Sequence, residues 1–161
     1  MYHFIYQMPA GRLTIEATEE AIVRLYFGVA PCVGTSCRST ALMNTCATQL
    51  QEYFAGKRTT FDIPIEIRGS EYEMHVWQAV SKVGYGATRT YAEIAEDIGK
   101  PTSHRTVGRA VRSNPLPILI PTHRIMGKGE EIPEKVISGD INNYLRKLEL
   151  KYMSSLSSST Q

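Results

Sequence analysis

A Thr-His-Arg triplet, residues 122–124, closes a proline-rich run that begins at Asn114. A hydroxyl beside an imidazole is one arrangement used for nucleophilic catalysis, because the histidine can take the hydroxyl proton. A threonine hydroxyl is a much weaker acid than a thiol, whose ordinary pKa is about 8.5. Thr122 beside His123 therefore predicts weak residual nucleophilic chemistry at most.

Basic residues are concentrated in the segment 98–129, which contains no acidic residue. Clustered positive charge is typical of surfaces that bind nucleic acid, although a charge run can also be only a solvated face. The net charge of the whole chain, +2, is too small to indicate a partner by itself. The basic residues of the segment are Lys100, Arg105, Arg109, Arg112, Arg124 and Lys128.

Two short helices are predicted in this region, at 91–98 and 103–113, and Gly99-Lys100-Pro101 forms the turn between them. Their lengths and the turn are typical of a helix-turn-helix, which presents its second helix to DNA. On that helix one face is basic, with Arg105, Arg109 and Arg112 at spacings of four and three. Because glycine has no side chain, we expect Gly108 to leave the helix surface between the arginines free of a protruding group, so that the helix backbone can approach DNA. Val107, Ala110 and Val111 face the other way.

The segment 71–129 resembles the O6-alkylguanine-DNA alkyltransferases, and the first 70 residues resemble them more loosely. The resemblance depends on Trp77, Pro101, Val107-Gly108, Asn114-Pro115 and the Pro-Ile-Leu-Ile-Pro run before the triplet. In that family a Pro-Cys-His-Arg motif accepts the alkyl group on the cysteine sulfur. Thr122 stands at the cysteine position here.

The resemblance implies a role for each matched residue. Arg105 would replace the target base in the stack, and Tyr91 would help to rotate the nucleotide out of the duplex. His123 would occupy the position of the base, and Asn114 would brace the loop through backbone hydrogen bonds. The implied DNA contacts are Tyr91, Arg105, Gly108, Arg109, Arg112 and Arg124.

The chain departs from the family pattern after the triplet. Ser138 and Gly139 resemble one element of the base pocket, with Ser138 as a contact to guanine O6, but Ile137 replaces a tyrosine. Lys151 occupies the position where the resemblance implies a glutamate linked to the histidine, and Glu149 lies two residues away. These departures favour a natural evolution of the chain toward a non-catalytic role. The other explanation of Thr122 is a laboratory substitution of the cysteine.

The order of patterns predicts an α/β fold with two domains. Residues 1–69 form a small N-terminal α/β domain, an antiparallel sheet plus a helix, and residues 70–153 form a mostly helical helix-turn-helix DNA-binding domain. A serine-rich tail, 154–161, is predicted to be disordered. The predicted strands are 2–7, 13–17, 22–27 and 61–67. Pro64 confines the last of these strands to a sheet edge or a bulge. The predicted helices outside the helix-turn-helix are 42–54, 71–83 and 140–152.

Cys32, Cys37 and Cys46 are an odd set that cannot all pair within the chain, and we expect them to be thiols. A zinc site needs about four ligands at suitable spacing, and His3 is the only histidine in the first 70 residues, where the cysteines lie. Neither a metal nor another cofactor is therefore expected. The sequence has no apolar run of about 18 residues and no leader pattern. The expectation is a monomer in the cytoplasm, or in the nucleus of a eukaryote, with no membrane contact.

These observations favour a protein that binds duplex DNA containing O6-alkylguanine and flips the damaged base out without dealkylating it, so that the lesion is marked for other repair proteins. Three alternatives stay open. The chain could be a single-turnover methylated-DNA-protein-cysteine methyltransferase with an unusual nucleophile, a sequence-specific helix-turn-helix regulator, or a structural module that binds a protein partner.

Overall fold

The computed structural model describes residues 1–29 and 33–159. Contacts within the chain divide it into two compact units, Met1–Arg68 and Gly69–Gln161. The division lies one residue before the predicted boundary at 69/70. Cys32, predicted to be a thiol, lies outside the described residues.

The first unit is built on a sheet with the order β3-β2-β1-β4. Its strands are β1 (Tyr2–Met8), β2 (Gly11–Ala17), β3 (Ile22–Phe27) and β4 (Ser36–Cys37). The first three are antiparallel neighbours, and the short β4, which the sequence did not predict, runs parallel to β1. The tight β1–β2 turn requires Gly11, whose φ of 121° is disfavoured for other residues.

Helix α1 (Ala41–Phe54) completes the first unit. Thr40 caps its N-terminus, and the Thr40 side chain accepts a hydrogen bond from the Met43 amide. Its buried face includes Cys46, and burial raises the pKa of that thiol to about 12. Cys46 is therefore a core residue and not a nucleophile, whereas Cys37 is exposed.

The predicted strand at 61–67 is wrong as a full strand. Only an isolated bridge joins Ile65 to Ile22, formed by Ile22 N to Pro64 O at 3.0 Å and Glu66 N to Ile22 O at 2.9 Å. Pro64 has no backbone N–H, so the ladder cannot continue through it.

The second unit is mostly helical. Its elements are α2 (Glu71–Ser81), β5 (Arg89–Thr90), α3 (Tyr91–Asp97), α4 (His104–Arg112), β6 (Ile125–Met126) and α5 (Ile141–Ser159). Capping boxes start α2 and α3, formed by Ser70 with Glu73 and by Thr90 with Glu93. Gly99 ends the first helix of the helix-turn-helix with a φ of 77°. Among the helices of the described residues, none is long and apolar enough to cross a bilayer.

Helix α5 is longer than predicted. The sequence predicted its end at Tyr152 and a disordered tail from residue 154, but the helix continues to Ser159. Serine costs only a few tenths of a kcal/mol relative to alanine in a helix, and each added residue extends an existing hydrogen-bond ladder. The predicted end of the helix is thus too early, the disorder of the tail stays a prediction, and residues 160–161 lie outside the described range.

Candidate functional site

The Thr-His-Arg triplet forms a single 3₁₀ turn, Thr122–Arg124, in the second unit. Asn114 braces the loop that leads to it: its side-chain nitrogen donates to the Ile120 carbonyl and to the Thr122 hydroxyl oxygen, both at 2.9 Å. Its side-chain oxygen accepts from the Leu116 amide at 2.9 Å. The half-buried Thr122 hydroxyl is therefore held in a fixed position at the start of the turn.

His123 is buried and is paired with a carboxylate from helix α5. Its Nε2 lies 2.6 Å from Oε2 of Glu149, and both side chains are almost fully inaccessible. Glu149 also accepts from the Gly86 amide at 2.9 Å. This carboxylate fixes the orientation of the imidazole next to Thr122.

This pair corrects the prediction for Lys151. The resemblance to the family placed the histidine's acidic partner at position 151, which is an exposed lysine. In the helix, Glu149 lies four residues after the buried Leu145 and shares its inward face, whereas residue 151 is turned toward solvent. The acidic partner is present, two residues earlier than the resemblance implied.

Arg124 was predicted to contact DNA, and the structure contradicts this. Its guanidinium is buried: Nε donates to Oε1 of Glu149 at 2.9 Å, Nη2 donates to Oε2 at 3.0 Å, and Nη1 donates to the Val83 carbonyl at 2.7 Å. A charge removed from water needs such partners, and removing one side of a buried pair typically costs about 3–5 kcal/mol. Arg124 thus stabilises the site from within, and its donors are not available to a phosphate.

Burial lowers the pKa of His123, and the nearby Arg124 and Arg146 guanidinium groups act in the same direction. The hydrogen bond to Glu149 and the charge of that carboxylate raise the pKa, but desolvation is the larger effect. The imidazole is consequently neutral at pH 7. A neutral histidine next to the Thr122 hydroxyl is in the state required of a general base.

We expect acid to destabilise the folded chain through His123. Its pKa is lower in the folded than in the unfolded state, so the unfolded state binds more protons below the ordinary value of about 6.5, and stability falls as the pH falls through that value. Urea unfolding at pH 7.5, 6.5 and 5.5 measures this slope. His123→Gln should flatten it, whereas the same change at the exposed His104 should leave the slope as in the wild-type protein; equal slopes in all three proteins would contradict this prediction.

The basic face predicted for the second helix is present on α4. Arg105, Arg109 and Arg112 are exposed, whereas Val107, Ala110 and Val111 are buried. Among residues 1–29 and 33–159, no hydrogen bond or ion pair engages the three guanidinium groups. Their charges therefore remain available to an external anion.

Gly108 does not play its predicted part. It is buried, and a Cβ built on it would lie 3.4 Å from Nη1 of Arg112. A long helical side chain covers the turn N-terminal to its own Cα, and Arg112 therefore lies over Gly108. The glycine accommodates the arginine, and its backbone is not the low, open surface that the sequence predicted.

Helix α2 holds α4 in place. Trp77 donates from Nε1 to the Ala110 carbonyl at 2.9 Å inside the core, and Ser113 donates from Oγ to Glu73 at 2.6 Å. That second hydrogen bond also lowers the pKa of Glu73. The end of the basic helix is thus fixed by a neighbouring helix and does not depend on a bound partner.

Tyr91, the predicted nucleotide-rotating residue, is the first residue of α3 and is half-buried. The preceding strand β5 pairs in parallel with β6, which directly follows the turn of the triplet, with Arg89 opposite Ile125 and Thr90 opposite Met126. This small sheet connects the start of α3 to the turn that carries Thr122. Sequence patterns gave no indication of it, because two-residue strands lack a measurable period.

Ser138 and Gly139, the predicted pocket residues, lie in the segment between β6 and α5. Both are exposed, Gly139 has a φ of 91°, and the preceding Ile137 is 78% exposed. The Ile141 amide donates to the Gly139 carbonyl at 3.0 Å, and this places the pair immediately before α5. No metal-binding group of three or more His, Cys, Asp or Glu side chains occurs in the described part of the chain.

Two residues of α5, Arg146 and Glu149, were not among the predicted site residues, although Glu149 was noted beside Lys151. They lie three residues apart and both are buried, with Leu145 beside them. A signal for them was present: charged residues on the inward face of an amphipathic helix need buried partners of opposite charge or hydrogen-bonding groups. The spacing relative to Leu145 and Leu148 could have identified that face.

Comparison with known protein families gives a match over almost the whole chain. Residues 71–151 match the family "6-O-methylguanine DNA methyltransferase, DNA binding domain". Residues 1–67 match "6-O-methylguanine DNA methyltransferase, ribonuclease-like domain". The two matched ranges correspond to the two compact units.

Individual relatives extend this result. The constitutive methylated-DNA-protein-cysteine methyltransferase of Bacillus subtilis is 37% identical in an alignment of 138 residues that covers 81% of this chain and 84% of that protein. The Methanosarcina acetivorans methylated-DNA-protein-cysteine methyltransferase is 33% identical over 92% of this chain and 98% of its own length. Among solved structures, Mycobacterium tuberculosis OGT in complex with DNA has a TM-score of 0.84 at 29% identity and covers 94% of both chains.

Proposed function

The chain belongs to the 6-O-methylguanine DNA methyltransferase family, and from this premise we propose that it binds duplex DNA and turns out O6-alkylated guanine without removing the alkyl group. The chain is therefore a DNA-repair protein of the alkyltransferase family. The proposal adds that this member recognises the lesion and does not repair it by itself.

The identity of residue 122 carries the proposal. The curated relatives are described as protein-cysteine methyltransferases, so their acceptor is a thiol. We place Thr122 at the acceptor position, beside the neutral His123 and with its oxygen 2.9 Å from the Asn114 nitrogen. A hydroxyl is a poorer nucleophile toward an alkyl carbon than a thiolate, and the neighbouring base does not offset that difference.

DNA binding is supported by α4 and by the structural relative. Three exposed arginines of α4 have no partner among the described residues, and the similar M. tuberculosis protein was solved in complex with DNA. We propose that Arg105 fills the space left by the extruded base and that Tyr91 assists its rotation. Flipping costs a few kcal/mol, and least for a damaged pair, so a lesion is favoured before any pocket contact forms.

The consequence for the cell would be marking of the lesion. A monomer that holds an extruded alkylguanine and cannot react leaves the damage in place, and other repair proteins would then have to remove it. The damaged site would therefore have to pass from this protein to those repair proteins on the DNA, in the compartment that contains the DNA.

Single-turnover methyl transfer is the second candidate, and one observation favours it. The His123–Glu149 pair at 2.6 Å is the arrangement that would activate a nucleophile at residue 122. If the threonine reacts at all, it does so through this pair.

One experiment separates the two candidates. A labelled duplex with one O6-methylguanine is competed with the same duplex unlabelled, with and without the methyl group, and the intact mass of the protein is then measured from the same sample. We expect the methylated competitor to be about tenfold more effective or better, as a difference of 1.4 kcal/mol gives, and the protein mass to be unchanged. The B. subtilis relative serves as the control that gains one methylene.

Each contrary result identifies a different alternative. A mass gain in the wild-type protein would establish methyl transfer. Preference for a DNA sequence over the lesion would favour a regulator. Absence of salt-sensitive DNA binding would favour a module that binds proteins, because neutralised phosphates always give a salt dependence.

A further inference from the structure

Arg146 of helix α5 makes contacts that the pairing of His123 with Glu149 does not require. Its side chain is buried, with 7% exposure, and lies three residues before Glu149. Its Nε donates to the His123 carbonyl, and its Nη2 donates to the Ile125 carbonyl at 3.0 Å. Glu149 thus holds the side chains of His123 and Arg124, while Arg146 holds the backbone at His123 and Ile125.

The same guanidinium contacts the near end of the segment 127–140 directly and reaches its far end through Asn143; the segment includes Ser138 and Gly139. At the far end Nη1 donates to the Asn143 side-chain oxygen at 2.8 Å, and Asn143 in turn donates to Asp140 at 2.9 Å. At the near end Nη1 lies 3.8 Å from Oε1 of Glu130, whose other oxygen accepts from the Gly127 amide at 2.7 Å. One planar group therefore joins the turn at Thr122 to the start and the finish of this segment.

The segment itself has few other means of holding its position. It contains no helix or strand, and most of its side chains are exposed. A surface segment with little buried apolar contact is fixed mainly by the anchors at its ends. Arg146 and the residues it contacts supply such anchors at both ends.

We propose that Arg146 is a positioning residue that fixes the Ser138–Gly139 pocket segment relative to the Thr122 turn, and that preference for alkylated over unmodified guanine depends on it. The second part rests on the proposed function. A guanidinium offers five donors in one rigid plane, so it can hold two carbonyls and a side-chain oxygen in a fixed relation. An ammonium at the same position cannot reproduce that geometry.

The test compares Arg146→Lys, Arg146→Met and Asn143→Ala with the wild-type chain, and Lys147→Met is the control that removes a charge from the same helix. Affinity is measured for duplexes with and without O6-methylguanine. We expect the ratio of the two affinities to fall about tenfold in Arg146→Met, as the loss of a charged hydrogen bond would give, and less in Arg146→Lys. Binding of the unmodified duplex, which depends on α4, should stay within about twofold of wild type.

Amide hydrogen exchange without DNA provides an independent readout. Peptides from 127–140 should exchange faster in Arg146→Lys and Asn143→Ala, while peptides from α4 should not change. If Arg146→Met fails to fold, these two variants still decide the question, because Asn143→Ala leaves both backbone contacts of Arg146 in place. Unchanged exchange of 127–140 in both variants would overturn the positioning role, and an unchanged affinity ratio in both would overturn the role in selectivity.

The same data distinguish this proposal from the proposed function. If the wild-type protein binds both duplexes equally, lesion recognition fails, and with it the dependence of selectivity on Arg146. The exchange data then still establish or reject the positioning of the segment by Arg146.

Discussion

Thr122→Cys is expected to make the protein accept the alkyl group, a reaction that the proposed function denies to the wild-type chain. The new thiol would lie beside the neutral His123, which is oriented by Glu149 at 2.6 Å. After proton transfer to the imidazole, the sulfur bonds to the methyl carbon while the bond from carbon to guanine O6 breaks, and the electron pair stays on the guanine. Intact-mass measurement after incubation with an O6-methylguanine duplex should show a gain of one methylene in nearly every molecule.

Two matched variants test the reason for this result. Thr122→Ser retains a hydroxyl and should gain no mass, which shows that sulfur and not side-chain size is decisive. The double variant Thr122→Cys, His123→Gln should react on the order of 100-fold more slowly or worse, because a positioned general base contributes about 10²–10⁴-fold. If Thr122→Cys binds the lesion tightly and never gains mass, residue 122 is not the acceptor position.

The rate of Thr122→Cys depends on how many departures from the family pattern matter. The sequence indicated three: Thr122, the altered pocket segment with Ile137, and Lys151 in place of a glutamate. The structure removes the last one, since Glu149 supplies the carboxylate. We therefore expect Thr122→Cys to accept the methyl group faster than it would if all three departures impaired the reaction. A rate that is still below that of the family's cysteine enzymes is attributed to the segment 127–140.

Local signals predicted the helices of the second unit well, because their causes are local. Ser70 with Glu73 and Thr90 with Glu93 form hydrogen bonds within four residues, and Gly99 ends a helix through its own backbone conformation. Each of these can be identified in a short stretch of sequence. The buried side of α4 followed from its periodicity for the same reason.

The site was predicted less completely, because its contacts are not local. Glu149 meets His123 across 26 positions in the chain, and no periodicity encodes that distance. Lys151 was considered for this role by its position along the chain, whereas the inward face of α5 is set by the helical period, which places Glu149 with Leu145. Arg124 and Gly108 were assigned to the DNA surface because burial cannot be assessed from residue type alone: an arginine in a basic run is usually exposed, but here a carboxylate and a carbonyl bind it internally.

Arg105→Ala is expected to remove most of the preference for alkylated DNA, with a smaller effect on binding as such. Arg105 is exposed near the start of α4, where its side chain would enter the stack when the damaged nucleotide leaves it. Without it the cost of unstacking, a few kcal/mol, is no longer offset, so the affinity ratio of damaged to undamaged duplex should fall by about 10- to 100-fold. A fluorescent base analogue next to the lesion should also lose its signal change on binding.

Arg112→Ala is the matched control, since it removes the same group from the same exposed face two turns later. It should weaken both duplexes about equally and lower the slope of log affinity against log salt by about 0.9, the value for one phosphate contact, with the analogue signal retained. The comparison is informative because both variants lose one positive charge, and only position on the helix differs. If the two variants behave alike and lesion preference survives in both, base flipping by Arg105 is excluded and α4 is a reader of DNA sequence or a purely electrostatic contact.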